Sequence, residues 1–88
     1  MLCKKIFIIT YIHYYTSVVH YTDVSLSVNE LKDKIEHLVN GINERIHQRC
    51  KIEQIKEYVE GKPYEIHTND YFNGGDYIIS VKEVLINC

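Results

Sequence analysis

The sequence predicts a small α+β domain of order β-α-(α)-β-β, with a sheet of three or four strands and helix packed on one face. Three observations predict this fold: an N-terminal run of β-branched and aromatic residues, a capped amphipathic stretch, and two short apolar runs around a glycine-rich turn. A chain of 88 residues makes one domain at most. We therefore expect residues 1–88 to fold as a single unit.

The first predicted element is an aromatic strand region, residues 5–21. Because most strands run about five or six residues, we expect a break or bulge near Thr16–Ser17. Both faces of the alternating pattern are apolar or aromatic, which is typical of a strand covered on both sides. One face carries Ile6, Ile8, Ile12 and Val18, and the other carries Phe7, Ile9, Tyr11, Tyr15, Val19 and Tyr21.

Residues 27–60 form a predicted helical region. Ser27 and Glu30 have the spacing of a capping box. The apolar residues behind them fall on one helical stripe: Val28, Leu31, Ile35, Leu38, Val39, Ile42, Ile46 and Cys50. The stripe changes phase beyond Cys50, so we predict a kink or break near Cys50–Lys51 and a short second helix. Gly61 is its predicted C-cap.

The last third of the chain is a predicted β-hairpin over residues 64–86. Asn73-Gly74-Gly75 supplies residues that favour the backbone conformations of a tight turn. The charged pair Lys82-Glu83 interrupts the apolar alternation of the second strand, which predicts a bulge or a phase change at that point.

Composition places the chain among ordinary folded proteins. Hydrophobic residues make up 45% and charged residues 25%, and the formal net charge is −2. No global field therefore directs the chain to nucleic acid or to an anionic membrane. Three widely spaced cysteines favour a reduced, cytoplasmic location, with one disulfide and one free thiol as the alternative. The richness in Ile, Lys, Asn and Tyr is typical of many small phage and viral proteins.

The N-terminus has some features of a secretion signal. Lys4 and Lys5 precede an apolar run, but the only small-residue cleavage pattern, Ser25 with Ser27, lies well beyond that run. His13 and His20 interrupt the uncharged stretch, which is short of the roughly 20 apolar residues of a membrane span. We expect this segment to be part of the fold, with cleavage and secretion as the alternative, and we expect no membrane partner.

Two sets of residues could carry chemistry. His47 and Cys50 are three residues apart, but Cys50 also ends the apolar stripe and is typical of a small buried hydrophobe. A metal site would need convergence of scattered candidates: His13, His20, His67, Cys3 and Cys88. No spacing requires that convergence, so we predict no catalytic residue, no metal and no cofactor, and a protein that is not an enzyme.

Arg45, Arg49 and Lys51 belong to the only basic run and are the candidate contacts for nucleic acid or another anion. On one helix they would spread around the cylinder rather than form a stripe. A solvated helix surface with local glutamate partners is the simpler interpretation of this run.

The aromatic strand region is the strongest candidate for function. One or two helices cover only one face of a small sheet, and an uncovered apolar face marks an interface. The candidate partner-binding residues are Phe7, Ile9, Tyr11, Tyr15 and Tyr21. The sequence thus predicts a small protein-binding module, a homodimer or a regulator or inhibitor of another protein. The alternatives are a structural, partly exposed face, or a binder of single-stranded nucleic acid that stacks bases on the same tyrosines.

Overall fold

The computed structural model describes residues 4–14, 18–25, 27–72 and 74–86, with the backbone alone at 14 and 18–22. One helix packs against a four-stranded antiparallel sheet, which confirms the predicted α+β fold. The elements are β1 (Lys4–Tyr14), β2 (Val18–Ser25), α1 (Val28–Arg45), β3 (Tyr64–Asn69) and β4 (Asp76–Ile86). The aromatic strand region is therefore two strands, and the predicted break at Thr16–Ser17 falls outside the described residues.

The sheet has the strand order β2-β1-β4-β3. β1 and β4 pair along their whole length, with Ile9 opposite Val81 at the midpoint. The edge strands β2 and β3 are shorter. β2 pairs with β1 only from Phe7 onwards, and β3 pairs with β4 only as far as Val81. The central two strands therefore extend past both edge strands as a two-stranded ribbon, residues 4–6 and 84–86. Their register is continuous through Lys82 and Glu83, so the bulge predicted there is wrong.

Helix α1 begins at the predicted cap, where the Ser27 Oγ accepts a hydrogen bond from the Glu30 N–H at 3.1 Å. Its apolar stripe lies against the sheet, as the helical periodicity predicts. Lys34 ties the helix to β2 by donating to the Val24 carbonyl at 2.7 Å and pairing with Asp23 at 3.0 Å. The hydrogen bond to Asp23, followed by that to Glu30, raises the pKa of Lys34 above its usual value.

The core lies between α1 and one face of the sheet. It is built from the helix stripe and from alternating residues of β1, β3 and β4, together with residues beyond the helix: Phe7, Ile9, Tyr11, Leu31, Ile35, Val39, Ile42, Ile46, Cys50, Tyr58, Tyr64, Ile66, Tyr77 and Ile79. Phe7 and Tyr58 meet edge to face with ring centroids 5.6 Å apart. Such edge-to-face contacts are a favoured geometry for aromatic pairs.

Residues 51–63, which we call the strap, are not helical, so the predicted second helix is wrong. Helix α1 ends at Arg45, and one 3-10 turn, Gln48–Cys50, leads into the strap. The Asn43 side chain accepts from the Ile52 N–H at 2.8 Å and donates to the Ile52 carbonyl at 2.9 Å. It occupies both backbone groups that a second helix would need. Gly61, with φ +79°, lies in a turn rather than at a helix end.

Replacing Asn43 with alanine is expected to cost about 2 kcal/mol of unfolding free energy, because two hydrogen bonds of about 1 kcal/mol each are lost. Chemical denaturation followed by circular dichroism measures this cost. Proteolysis of the native protein should also become faster within the strap. Asn40→Ala is the matched control, since Asn40 is an exposed residue of the same helix. An equal loss in both variants would contradict the role given to Asn43.

Candidate protein-binding face

The face of the sheet opposite α1 is covered by no other element of the described residues. We call it the open face. It is lined by half-buried or exposed aliphatic side chains: Ile6, Ile8, Ile12, Val24, Ile78, Val84 and Ile86. The register places them together, since Ile12 lies opposite Ile78, Ile6 opposite Val84, and Ile8 opposite Val24. Thr10 and Ser80 lie opposite each other between the Ile12–Ile78 pair and Ile8, so one polar row interrupts the aliphatic residues. An exposed surface that is largely aliphatic is typical of an interface.

The structure corrects the choice of face made from the sequence. Phe7, Ile9 and Tyr11 are 3%, 0% and 7% exposed, because α1 covers the face of β1 that carries them. They are core residues and offer no surface to a partner. The backbone of Tyr21 lies opposite Tyr11 in the ladder, but the Tyr21 side chain is not among the described parts of the structure. Tyr15 lies outside the described residues. The aliphatic side chains left at the surface of β1 are the isoleucines of its other face.

Charged residues on the open face are divided by sign along the strands. Lys4 and Lys82 lie on the side of the β1–β4 midpoint that carries the projecting ribbon. Glu65 and Asp76 lie on the opposite side, where β3 and β4 form their hairpin. Lys82 and Glu65 are exposed, and neither forms an ion pair with another described residue. The face therefore has a positive half and a negative half.

The far end of the strap is locked to β4 by Glu83, which points to the helix side of the sheet. Its Oε1 accepts from the Tyr58 hydroxyl and from the Gly61 N–H at 2.9 Å. Lys5 Nζ lies 3.6 Å from Glu83 Oε2 and 3.3 Å from Glu60 Oε2. The bond from Tyr58, followed by that from Gly61, lowers the pKa of Glu83 below its usual value.

This depressed pKa predicts acid destabilisation. A carboxylate whose pKa is lower in the folded protein contributes stability above its unfolded pKa of about 4.3, and that contribution is lost as the pH falls through the folded pKa. Wild type should therefore exceed Glu83→Gln in melting temperature at pH 7, and the difference should shrink towards pH 3. Glu57→Gln, at an exposed strap position, is the control. An equal difference at both pH values would contradict this.

The three basic candidates are exposed but lie on different elements. Arg45 is in the last turn of α1, Arg49 is in the 3-10 turn, and Lys51 follows it as its C-cap. The charge of Arg45 opposes the rise that burial causes in the pKa of Tyr11. Tyr11 is buried, so its ring is not available to stack a base beside these basic residues.

No family model, curated protein or solved structure matches this chain. No helix of the described residues is long and apolar enough to cross a membrane.

His47 and Cys50 do not form the nucleophile and base that their spacing would allow. Cys50 is a buried free thiol, and its Sγ lies 4.0 Å from Asp70 Oδ1 rather than against the imidazole. His47 stacks on Phe72 at 3.9 Å, and its Nδ1 accepts from the Arg49 N–H at 3.2 Å. The local role of Asp70 is structural, since its carboxylate also accepts from the N–H groups of His47 and Phe72.

The metal candidates are not brought together. His13 stacks on Tyr77 on the helix side of the sheet, whereas His67 lies on the open face beside Asp76. The His20 side chain, Cys3 and Cys88 lie outside the part of the chain that the structure describes. Among the described residues, no three His, Cys, Asp or Glu side chains are grouped in a way that could hold a metal ion.

Two further surface features were missed by sequence reasoning. Tyr71 and Phe72 at the β3–β4 turn are 73% and 53% exposed, next to the buried Asp70. A groove of about 370 Å³ lies between α1 and the strap, with exposed Ile55 on its wall. The turn-forming residues around Tyr71 and Phe72 indicated a loop, but only the packing shows that these two aromatic rings are exposed.

Proposed function

We propose that this protein is a small non-enzymatic binding module that docks on protein through the open face of its sheet. The observation that carries the proposal is that this face is largely aliphatic along β1 and β4 and is left uncovered by the described elements. Burying apolar surface is worth about 25 cal/mol per Å², so covering such a face provides a substantial driving force. A regulator or inhibitor that acts by occupying a partner is the role that fits this surface.

Binding of single-stranded nucleic acid is less well supported. Stacking needs exposed aromatic rings among basic side chains, whereas the described side chains of the open face are mostly isoleucine and valine, with Ser, Thr, Asn and a few charged residues, and His67 supplies their one aromatic ring. Burial of Tyr11 removes one of the tyrosines on which the alternative depended.

The test uses the tagged protein as bait at physiological salt, with two matched variants. Ile78→Asp places a charge on the open face, and Ile55→Asp places the same charge at an exposed position on the strap. Wild type and Ile55→Asp should retain the same protein, either a second copy of the chain or another polypeptide, and Ile78→Asp should lose it. Retention of no protein, or equal retention by Ile78→Asp, would contradict the proposal.

A further inference from the structure

We propose that a second copy of this chain covers the open face, related to the first by a two-fold axis that runs across the strands. This inference rests on the proposed function and names the occupant of the same face. In the resulting dimer two sheets pack face to face, with a helix on each outer side. Three properties of the open face support this arrangement: its size, the positions of its aliphatic residues, and the division of its charges.

The size of the open face suits a dimer. β1 and β4 each have 11 residues, which at about 3.3 Å per residue gives strands roughly 36 Å long. Four strands about 4.8 Å apart make the sheet roughly 19 Å wide. With the shorter edge strands, the flat area is roughly 500–700 Å², and side-chain relief raises the accessible area. A standard interface buries about 800 Å² on each partner.

Four of the aliphatic residues, Ile6, Ile12, Ile78 and Val84, are placed symmetrically about the midpoint of the ladder. Ile12 and Ile78 lie opposite each other on one side of Ile9 and Val81, and Ile6 and Val84 lie at the same distance on the other side. A two-fold axis across the strands at this midpoint stacks the first pair on the second pair of the other copy. In both halves of the face these four residues then bury apolar side chains against apolar side chains.

The charges select this axis over one that runs along the strands. An axis across the strands reverses the second copy end to end, which sets its negative half over the positive half of the first. Lys82 then lies beside Glu65 of the second copy, and the same contact repeats by symmetry. An axis along the strands would set Lys82 over Ile8 of the second copy and leave like charges at the same end. Since like-charge contacts disfavour association, the reversed arrangement is preferred.

The Lys82–Glu65 contact is the best probe of this geometry. Lys82 lies one residue from the midpoint of the ladder, opposite Ile8, and Glu65 lies opposite Ser80 on the other side. Packed sheets turn by about 30° relative to each other. This turn displaces contacts far from the centre of the face most and contacts near the centre least. Sheets pack about 10 Å apart, a distance that a lysine and a glutamate side chain can bridge.

The experiment is a charge swap followed by sedimentation equilibrium. Lys82→Glu and Glu65→Lys should each weaken dimerisation about tenfold or more, because each creates two like-charge contacts. The double variant should return to within about threefold of wild type. The control variant combines Lys82→Glu with Glu57→Lys and has the same net charge as the swap. Because Glu57 lies on the strap, this control should dimerise as weakly as Lys82→Glu alone.

Two results would overturn the inference: a wild-type chain that remains monomeric up to about 0.5 mM, or a swap no stronger than the Glu57 control. The failure of this inference and that of the proposed function can be told apart. A monomer whose bait still retains another polypeptide through Ile78 removes the second copy as occupant and leaves the binding function. A dimer that Ile78→Asp does not weaken removes both.

Discussion

Ile78→Asp is expected to weaken self-association at least about 100-fold while leaving the monomer folded. Ile78 lies on a central strand of the open face, opposite Ile12 on one side and His67 on the other. In a symmetric dimer the substitution enters the interface twice. A cost of only about 1.4 kcal/mol per copy, which is modest for a buried interface residue, therefore gives a 100-fold effect.

The fold should survive this change because Ile78 is only half-buried in the monomer. An aspartate on an exposed strand face costs about 1 kcal/mol of strand preference. Sedimentation equilibrium gives the association constant, and far-UV circular dichroism checks the fold. Ile55→Asp serves as the control for an added charge at an exposed isoleucine. If Ile78→Asp associates as strongly as that control, the open face is not where the protein associates.

Asp70→Ala is expected to destabilise the protein by about 3 kcal/mol. The Asp70 side chain is fully buried, and its carboxylate accepts from the His47 N–H at 3.2 Å, the Phe72 N–H at 3.2 Å and the Cys50 thiol. Alanine leaves these donors without their acceptor in the interior, where hydrogen bonds to a charged group are worth about 1.5–3 kcal/mol each. The lost hydrogen bonds affect two regions of the protein, because Asp70 connects the β3–β4 turn to the segment that follows α1.

The comparison for Asp70 is Asp33→Ala, which removes an exposed carboxylate from α1 and should change stability by less than about 0.5 kcal/mol. Denaturant unfolding followed by tyrosine fluorescence measures both variants, since the chain has no tryptophan. Asp70→Asn should fall between wild type and alanine, because it keeps one acceptor oxygen and turns an amide N–H towards a donor. A loss for Asp70→Ala no larger than that for Asp33→Ala would contradict the anchoring role.

The sequence predicted the elements better than their contacts. Ser27 and the apolar stripe behind it located α1, and the glycines after Asp70 located the hairpin. The apolar spacing of the strap also resembles a helix, and what excludes one is a tertiary contact, the pairing of the Asn43 side chain with the Ile52 backbone. No local pattern reports such a contact in advance.

The covered face of β1 could not be chosen from β1 alone, since both of its faces are apolar. β4 carried the missing information: Ser80 and Lys82 make one of its faces more polar than the face of Tyr77 and Ile79. Transferring that preference to β1 requires the register that sets Ile8 opposite Lys82. Register depends on long-range pairing, so the tyrosine-bearing face was mistaken for the exposed one.

Accessibility of isoleucine methyl groups to a soluble paramagnetic agent, read by NMR, tests most directly whether protein covers the open face. The reporters there are Ile6, Ile8, Ile12, Ile78 and Ile86, with buried Ile9 and Ile79 and exposed Ile55 as references. In the assembled protein the open-face methyls should be as protected as those of the core, and in Ile78→Asp they should become accessible. Open-face methyls broadened as strongly as Ile55, both in the concentrated protein and in any complex the bait retains, would contradict the account.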